Sequence, residues 1–237
     1  MIEVKDLSKA YDGVTVLNIP GLKIPKGESF GLVGNNGAGK TTFFRLMLDL
    51  IRANSGTVMT KGKNVSKDEN WKFHTASYLD DGFLIDFLTP EEFFRFTANV
   101  RSLTEGDLSE FYILFKDFFN DEILEKGKLI RDLSRGNQKK VGIAATLMSD
   151  PEIIIMDEPF NSLDPTTQIR LKIILNDWRK DKNTTMLISS HDLNHVSEVC
   201  DRIVILDKGN IVKDIHSSNN TLKELEDYFY TQIYAQS

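Results

Sequence analysis

The chain opens with short apolar runs separated by turns. Ile2–Leu7 alternates apolar and polar positions, the period of a half-buried strand. Tyr11-Asp12-Gly13 reads as a turn, Val14–Leu17 as a second apolar run, and Pro20-Gly21 and Pro25-Lys26-Gly27 as breaks. Ser29–Val33 has the run of a strand covered on both faces. A helix is predicted after it, with Phe43, Leu46, Met47 and Leu50 on one face. Further on, Glu152–Met156, Thr185–Ile188 and Arg202–Leu206 read as buried strands, and Asp207–Asn210 turns the chain into Ile211–Lys213. Helices are predicted from Pro165 to about Lys180, from His191 to Cys200, and from Thr221 to about Tyr230. Strands alternating with helices predict an α/β fold with a mostly parallel, covered core sheet.

Residues 88 to about 145 follow a different period. Thr89-Pro90-Glu91-Glu92 combines an N-cap, a first-turn proline and a glutamate at the third position, the signature of a capped helix start. Phe93, Phe96 and Val100 make one predicted stripe; Leu108, Phe111, Phe115 and Phe118 make another. Nine of the 15 Phe lie between 83 and 119. Most of these rings are expected to be the insert's own core, with a few near Phe83–Phe94 exposed. The stretch 91–128 holds nine acids and five bases, 5 − 9 = −4. The expected organisation is one domain over residues 1–237. It comprises an N-terminal antiparallel β-subdomain at about 1–30, core segments 30–87 and 146–215, the helical insert 88–145, and a C-terminal helix within 216–237.

The chemistry begins at Gly34-Asn35-Asn36-Gly37-Ala38-Gly39-Lys40-Thr41. This fits G-x-x-x-x-G-K-[ST] between a strand and a helix, the setting of a phosphate-binding loop. Glycines let the backbone wrap a phosphate chain, and the helix N-terminus adds positive potential. Lys40 is suited to the β- and γ-phosphates and Thr41 to Mg²⁺. Ile153–Met156 then ends in Asp157-Glu158. A buried strand with acids at its tip sets Asp157 as a magnesium partner and Glu158 as the group that polarises an attacking water. Between the two lies Leu133-Ser134-Arg135-Gly136-Asn137, a serine-capped helix start suited to an anion. His191 and His195 stand at i and i+4, a zinc-compatible spacing, but no His-Glu-x-x-His pattern or third ligand accompanies them.

Composition narrows the classes. The chain has 237 residues, 41% of them hydrophobic and 27% charged, values of an ordinary globular domain rather than a disordered one. Net charge is −6, a poor prior for nucleic-acid binding. One cysteine excludes an intrachain disulfide. No apolar run exceeds five residues, against about 20 for a spanning helix, and the acidic N-terminal segment predicts no secretory leader.

In order and spacing, Gly34–Thr41, Leu133–Asn137, Ile153–Glu158, Asn161-Ser162-Leu163-Asp164 and His191 resemble the ATP-binding cassette of ABC transporters over almost the whole chain. The resemblance implies a P-loop NTPase with a RecA-like core, ATP and Mg²⁺ as cofactors, and ATPase activity that powers a separate membrane-spanning partner. Gly34 to Thr41, followed by Thr42, corresponds to Walker A. Ser134 and Gly136 belong to the signature, Asp157 to Walker B, Glu158 to the catalytic glutamate, Asp164 to the D-loop and His191 to the switch histidine. Tyr11 matches the adenine-stacking position, with Val16 packing nearby. Two departures stand out. Asp81 occupies the place of the usual glutamine, where it is expected to act through Mg²⁺ or water. Arg135 and Asn137 replace the usual signature Gly and Gln.

The resemblance further implies a second copy of the cassette closing over two ATP, and a transmembrane permease docked on residues 88–145. It also implies a peripheral location on the cytoplasmic face of the membrane, and no nucleic-acid partner. The short chain is more similar to exporter-type cassettes than to sugar importers. A ribosome- or DNA-associated ATPase and a nucleotide-gated regulatory module remain the alternatives.

Overall fold

Strand register explains how one chain carries two sheets. The computed structural model describes residues 2–79, 81–217 and 221–235; the side chains of residues 81, 181, 182 and 232–235 are outside that description. The first half runs β1 (Ile2–Tyr11), β2 (Val14–Ile24), β3 (Ser29–Val33), α1 (Lys40–Met47), β4 (Ser55–Thr60), β5 (Lys63–Asn64), α2 (Trp71–His74) and β6 (Thr75–Tyr78). The helical insert supplies α3 (Pro90–Val100), α4 (Glu105–Phe119) and α5 (Arg135–Leu147). The remainder runs β7 (Ile153–Met156), α6 (Pro165–Lys182), β8 (Thr185–Ser190), α7 (Leu193–Val199), β9 (Arg202–Asp207), β10 (Asn210–His216) and α8 (Thr221–Ala235).

One sheet has four strands in the order β2-β1-β4-β5, with every pairing antiparallel. The other has six in the order β10-β9-β3-β8-β7-β6, parallel except for the β9–β10 hairpin. Side chains of the parallel strands alternate between two cores. Phe30, Leu32, Ile153, Ile155, Leu187 and Val204 face the core shared with α1 and the antiparallel sheet. Val33, Ile154, Met156, Met186, Ile188 and Ile203 face the core shared with the helical insert, α6 and α7. Both faces of these strands are thus apolar, as covered parallel strands require.

Five local expectations change. Pro20-Gly21 does not break the chain; both residues lie inside β2. β2 is an edge strand, where a missing N–H costs no ladder bond. The antiparallel sheet also draws on residues 55–64, well beyond residue 30. In α1, Phe44 joins Phe43, Leu46 and Met47 in the core, while Leu50 falls past the helix end and is half-exposed, because Asp49 turns into the left-handed region. The predicted α3 stripe is displaced. Phe93, Phe94 and Ala98 are buried, whereas Phe96 and Val100 are 49% and 66% exposed. The cause is Phe94, whose ring packs against Phe111 at 5.0 Å and Phe119 at 5.5 Å and so sets the rotation of α3. The α4 stripe, Leu108, Phe111, Phe115 and Phe118, is buried as its spacing predicts. The C-terminal helices shift slightly, α7 starting at Leu193 behind its cap Asp192.

Candidate active site

The loop between β3 and α1 is shaped by what its glycines touch. A β-carbon on Gly34 would lie 2.3 Å from the Leu206 carbonyl of β9. Gly37 (φ 83) and Gly39 (φ 107) take left-handed conformations, which glycine adopts without penalty. Nothing lies within 4 Å of a β-carbon at Gly37, so that side of the loop is open. Asn35, Asn36 and Gly37 are exposed, while Ala38 and Lys40 are buried. The loop is braced from below. Gly209 N–H donates to Ala38 O at 2.9 Å, and Asn18 N–H donates to Gly209 O at 2.8 Å. Val16 enters here through its backbone: its carbonyl would be 2.9 Å from a β-carbon on Gly39 and 2.5 Å from one on Gly209.

Lys40 opens α1 and is 6% exposed. Its ammonium donates to Gly34 O at 2.6 Å and Asn35 O at 3.4 Å, and lies 3.3 Å from Glu158 Oε1. Thr41, next in line, donates its hydroxyl to Asp157 Oδ2. Asp157 sits at the tip of β7, and its other oxygen accepts from the buried Ser189 hydroxyl of β8. A hydroxyl and a carboxylate in direct contact at the mouth of a phosphate loop form the all-oxygen donor set that suits Mg²⁺. Thr42 follows, partly buried, in the same helical turn.

Glu158 has φ 49, a left-handed backbone costing a β-carbon-bearing residue about 1–2 kcal/mol. Its N–H donates to Ser189 Oγ at 2.9 Å. Its Oε2 faces the His191 backbone N–H at 3.3 Å and His191 Nδ1 at 3.0 Å. Lys40, Thr41, Asp157, Glu158 and His191 therefore form one connected cluster. His195 does not join it: its ring packs on Phe160 at 4.5 Å, and burial holds its pKa below the usual imidazole value despite Asp192.

The remaining predicted residues sit on other elements, each with contacts of its own. Ser134 caps α5, accepting from Asn137 N–H at 3.3 Å. A β-carbon on Gly136 would meet Ser162 O at 2.8 Å, so the α5 tip packs against the loop after Glu158. Asp164 caps α6, accepting from Thr167 N–H at 3.0 Å and the Thr167 hydroxyl at 2.5 Å. The Thr167 hydroxyl, with its amide, holds the Asp164 carboxyl below the usual aspartate range. Tyr11 ends β1, 46% exposed, with Lys9 Nζ 4.8 Å from its ring centroid. Asp81 begins the 3₁₀ turn Asp81–Phe83, and its side chain lies outside the described residues. Ser189, Lys139 and Gly209 were not singled out from the sequence. Only Gly209, in a predicted turn, carried a signal, and that signal spoke of conformation rather than contact.

The sequence profile of the family described as "ABC transporter" matches residues 17–161, from β2 through the Asp157-Glu158 tip. The chain belongs to the ABC transporter family. It is an ATP-binding, ATP-hydrolysing cassette with a P-loop NTPase fold. It is 32% identical over 219 residues to the bacitracin transport ATP-binding protein BcrA of Enterococcus faecalis, covering 92% of this chain and 70% of that protein. It is 29% identical over 235 residues to the lantibiotic transport ATP-binding protein SrtF of Streptococcus pyogenes, covering 98% and 97%. Among solved structures, the ATP-binding subunit of an ABC transporter superposes with a TM-score of 0.85 at 27% identity, over 99% of each chain. A dimeric cassette in a post-hydrolysis state bound to ADP and Pi shares the fold, with a TM-score of 0.81 at 21% identity over 92% of this chain and 100% of that one.

Proposed function

We propose that two copies of this cassette close over two ATP molecules and drive a separate membrane-spanning partner. The observation that carries this reading is the single cluster of Lys40, Thr41, Asp157, Glu158 and His191 at the tips of β3, β7 and β8. In it, the backbone of Gly34–Gly39 wraps the phosphates and Lys40 supplies the cation. Thr41 and Asp157 hold Mg²⁺, which when bound neutralises charge on the phosphate oxygens. Glu158 takes the proton of the attacking water, and His191 keeps that carboxylate oriented. Tyr11 and Val16 meet the adenine side, and Asp81 acts at the metal or a water. Ser134 and Gly136 present a helix tip to the nucleotide of the second copy, with Asp164 close in sequence to Glu158, at the start of α6. The dimeric relative with ADP and Pi supports the two-copy arrangement.

Among the described residues no helix is long and apolar enough to cross a membrane; relatives named as transport ATP-binding proteins support a membrane partner. Residues 88–145 and the turn before them supply its docking face. Phe83, Phe87, Phe96 and Val100 are exposed there. Phe83 also lines a groove of about 150 Å³ together with Tyr78, Leu84, Phe93 and Thr97. Exposed aromatics are suited to an amphipathic helix, and docking there sets the cassette on the cytoplasmic face of the membrane. Relatives named for bacitracin and lantibiotic transport support a transporter as that partner.

The test is Glu158→Gln. It should keep ATP binding, trap an ATP-bound dimer on size-exclusion chromatography, and cut turnover by about 10²-fold, some 2.7 kcal/mol of barrier. Turnover near that of the parent chain removes Glu158 from the role of base.

A further inference from the structure

The peptide at Glu158 is held from two sides. Its N–H donates to Ser189 Oγ, and its carbonyl accepts from Lys139 Nζ, each at 2.9 Å. Lys139 is 9% exposed, and its ammonium also lies 5.6 Å from the centroid of the Tyr78 ring. An ammonium in so dry a place needs acceptors to hold it there. Lys139 belongs to α5, five residues after the cap Ser134, whereas Glu158 belongs to the tip of the core sheet. The two therefore join different parts of the molecule. Gly136 adds a second join, its α-carbon packed against the Ser162 carbonyl. With contacts at both 158 and 162, the first turns of α5 and the segment 158–162 are tied together.

The geometry points to Lys139 as a positioning residue that ties the backbone of Glu158 to the Ser134 helix. A left-handed glutamate is retained only where its surroundings hold it. The Lys139 ammonium fixes the orientation of the carbonyl, and with it the direction of the side chain that meets Lys40 and His191. A displacement at the α5 tip then reaches the Glu158 carboxylate through one hydrogen bond. The inference rests on the reading of Glu158 as the base.

Lys139→Met keeps the length of the stem and removes the donor; Lys139→Arg keeps a donor. In the purified chain, Lys139→Met should lower kcat about tenfold with the ATP KM and the affinity for a fluorescent ATP analogue within twofold of the parent. Lys139→Arg should recover at least half of the loss. Hydrogen exchange of the peptide spanning 157–162 should quicken at least fivefold in Lys139→Met at unchanged Tm, and it reads the tether without turnover. Parental kcat and exchange in Lys139→Met overturn the tether, and a fall in ATP affinity reassigns Lys139 to nucleotide binding. Glu158→Gln, run alongside, separates the two readings. Should it turn over, the base assignment fails; should it be silent while Lys139→Met behaves as the parent, only the tether fails.

Discussion

Replacing Lys40 by Met perturbs two interactions. In the proposed ATP complex the ammonium would make charge-assisted hydrogen bonds to phosphate, each worth about 1.5–3 kcal/mol. Losing two of them weakens binding by about 3–6 kcal/mol, or roughly 10²- to 10⁴-fold in Kd. In the structure the same ammonium lies 3.3 Å from Glu158 Oε1, an oxygen that makes no hydrogen bond of its own. Lys40→Met leaves that oxygen beside an apolar stem. A buried acceptor stripped of its partner costs about 1–3 kcal/mol, and the 20% exposure of the Glu158 side chain keeps it toward the lower figure. For a chain of this length 1 kcal/mol is worth about 2–4 °C, so Tm should fall by roughly 2–6 °C. Adding Glu158→Gln to Lys40→Met removes the stranded charge and should restore most of that Tm without restoring ATP binding. Scanning calorimetry and titration with a fluorescent ATP analogue, over all four members of the cycle, measure both quantities. An ATP Kd within twofold of the parent, or Tm changes that simply add in the double variant, would refute the reasoning.

Two further outcomes are expected. Arg202 grips Asp214 with two hydrogen bonds, 2.7 and 2.6 Å, and donates to Lys23 O at 2.7 Å. The Arg202 hydrogen bonds hold the Asp214 carboxyl below its ordinary value, so the contribution is present above the unfolded pKa near 4 and is lost as pH falls through the depressed folded value. Asp214→Asn should thus cost about 1 kcal/mol or less at pH 7, the range for a partly exposed pair, with the difference from the parent narrowing as pH falls below about 4 in denaturant titrations; a difference that does not shrink with falling pH contradicts the assignment. Gly34→Ala places a methyl group where the Leu206 carbonyl stands, and should cost about 1–3 kcal/mol through backbone displacement together with loss of ATP binding; calorimetry showing parental stability would refute it.

Much of the site was legible because its chemistry is local. Gly34 to Thr41 is contiguous, Asp157-Glu158 ends a four-residue apolar strand, and Thr89, Ser134 and Asp164 cap helices whose apolar faces follow at once. Long-range contacts were less visible. Phe94 and Phe96 are the same residue type two positions apart, and which one is buried depends on where Phe111 and Phe119 stand. Pro20 reads as a breaker until β2 is known to be an edge strand. Ser189 is an ordinary strand serine by sequence, and its hydroxyl matters because β7 and β8 are paired in a register that sets Met156 beside Ile188. Lys139 carries no mark at all until the turn of α5 faces it toward Glu158.

The order β10-β9-β3-β8-β7-β6 has a consequence for how the polypeptide is born. β3 emerges early, yet both its neighbours, β8 and β9, come from residues 185–207. At about 5–20 residues per second, a ribosome needs roughly 9–35 s after finishing β3 to deliver the end of β9. Throughout that interval an apolar strand carrying the whole glycine wrap has no lattice to join. Nascent chains of this protein should therefore depend on chaperone shelter until residues 185–207 have emerged, and the ability to hold nucleotide should arrive abruptly with them.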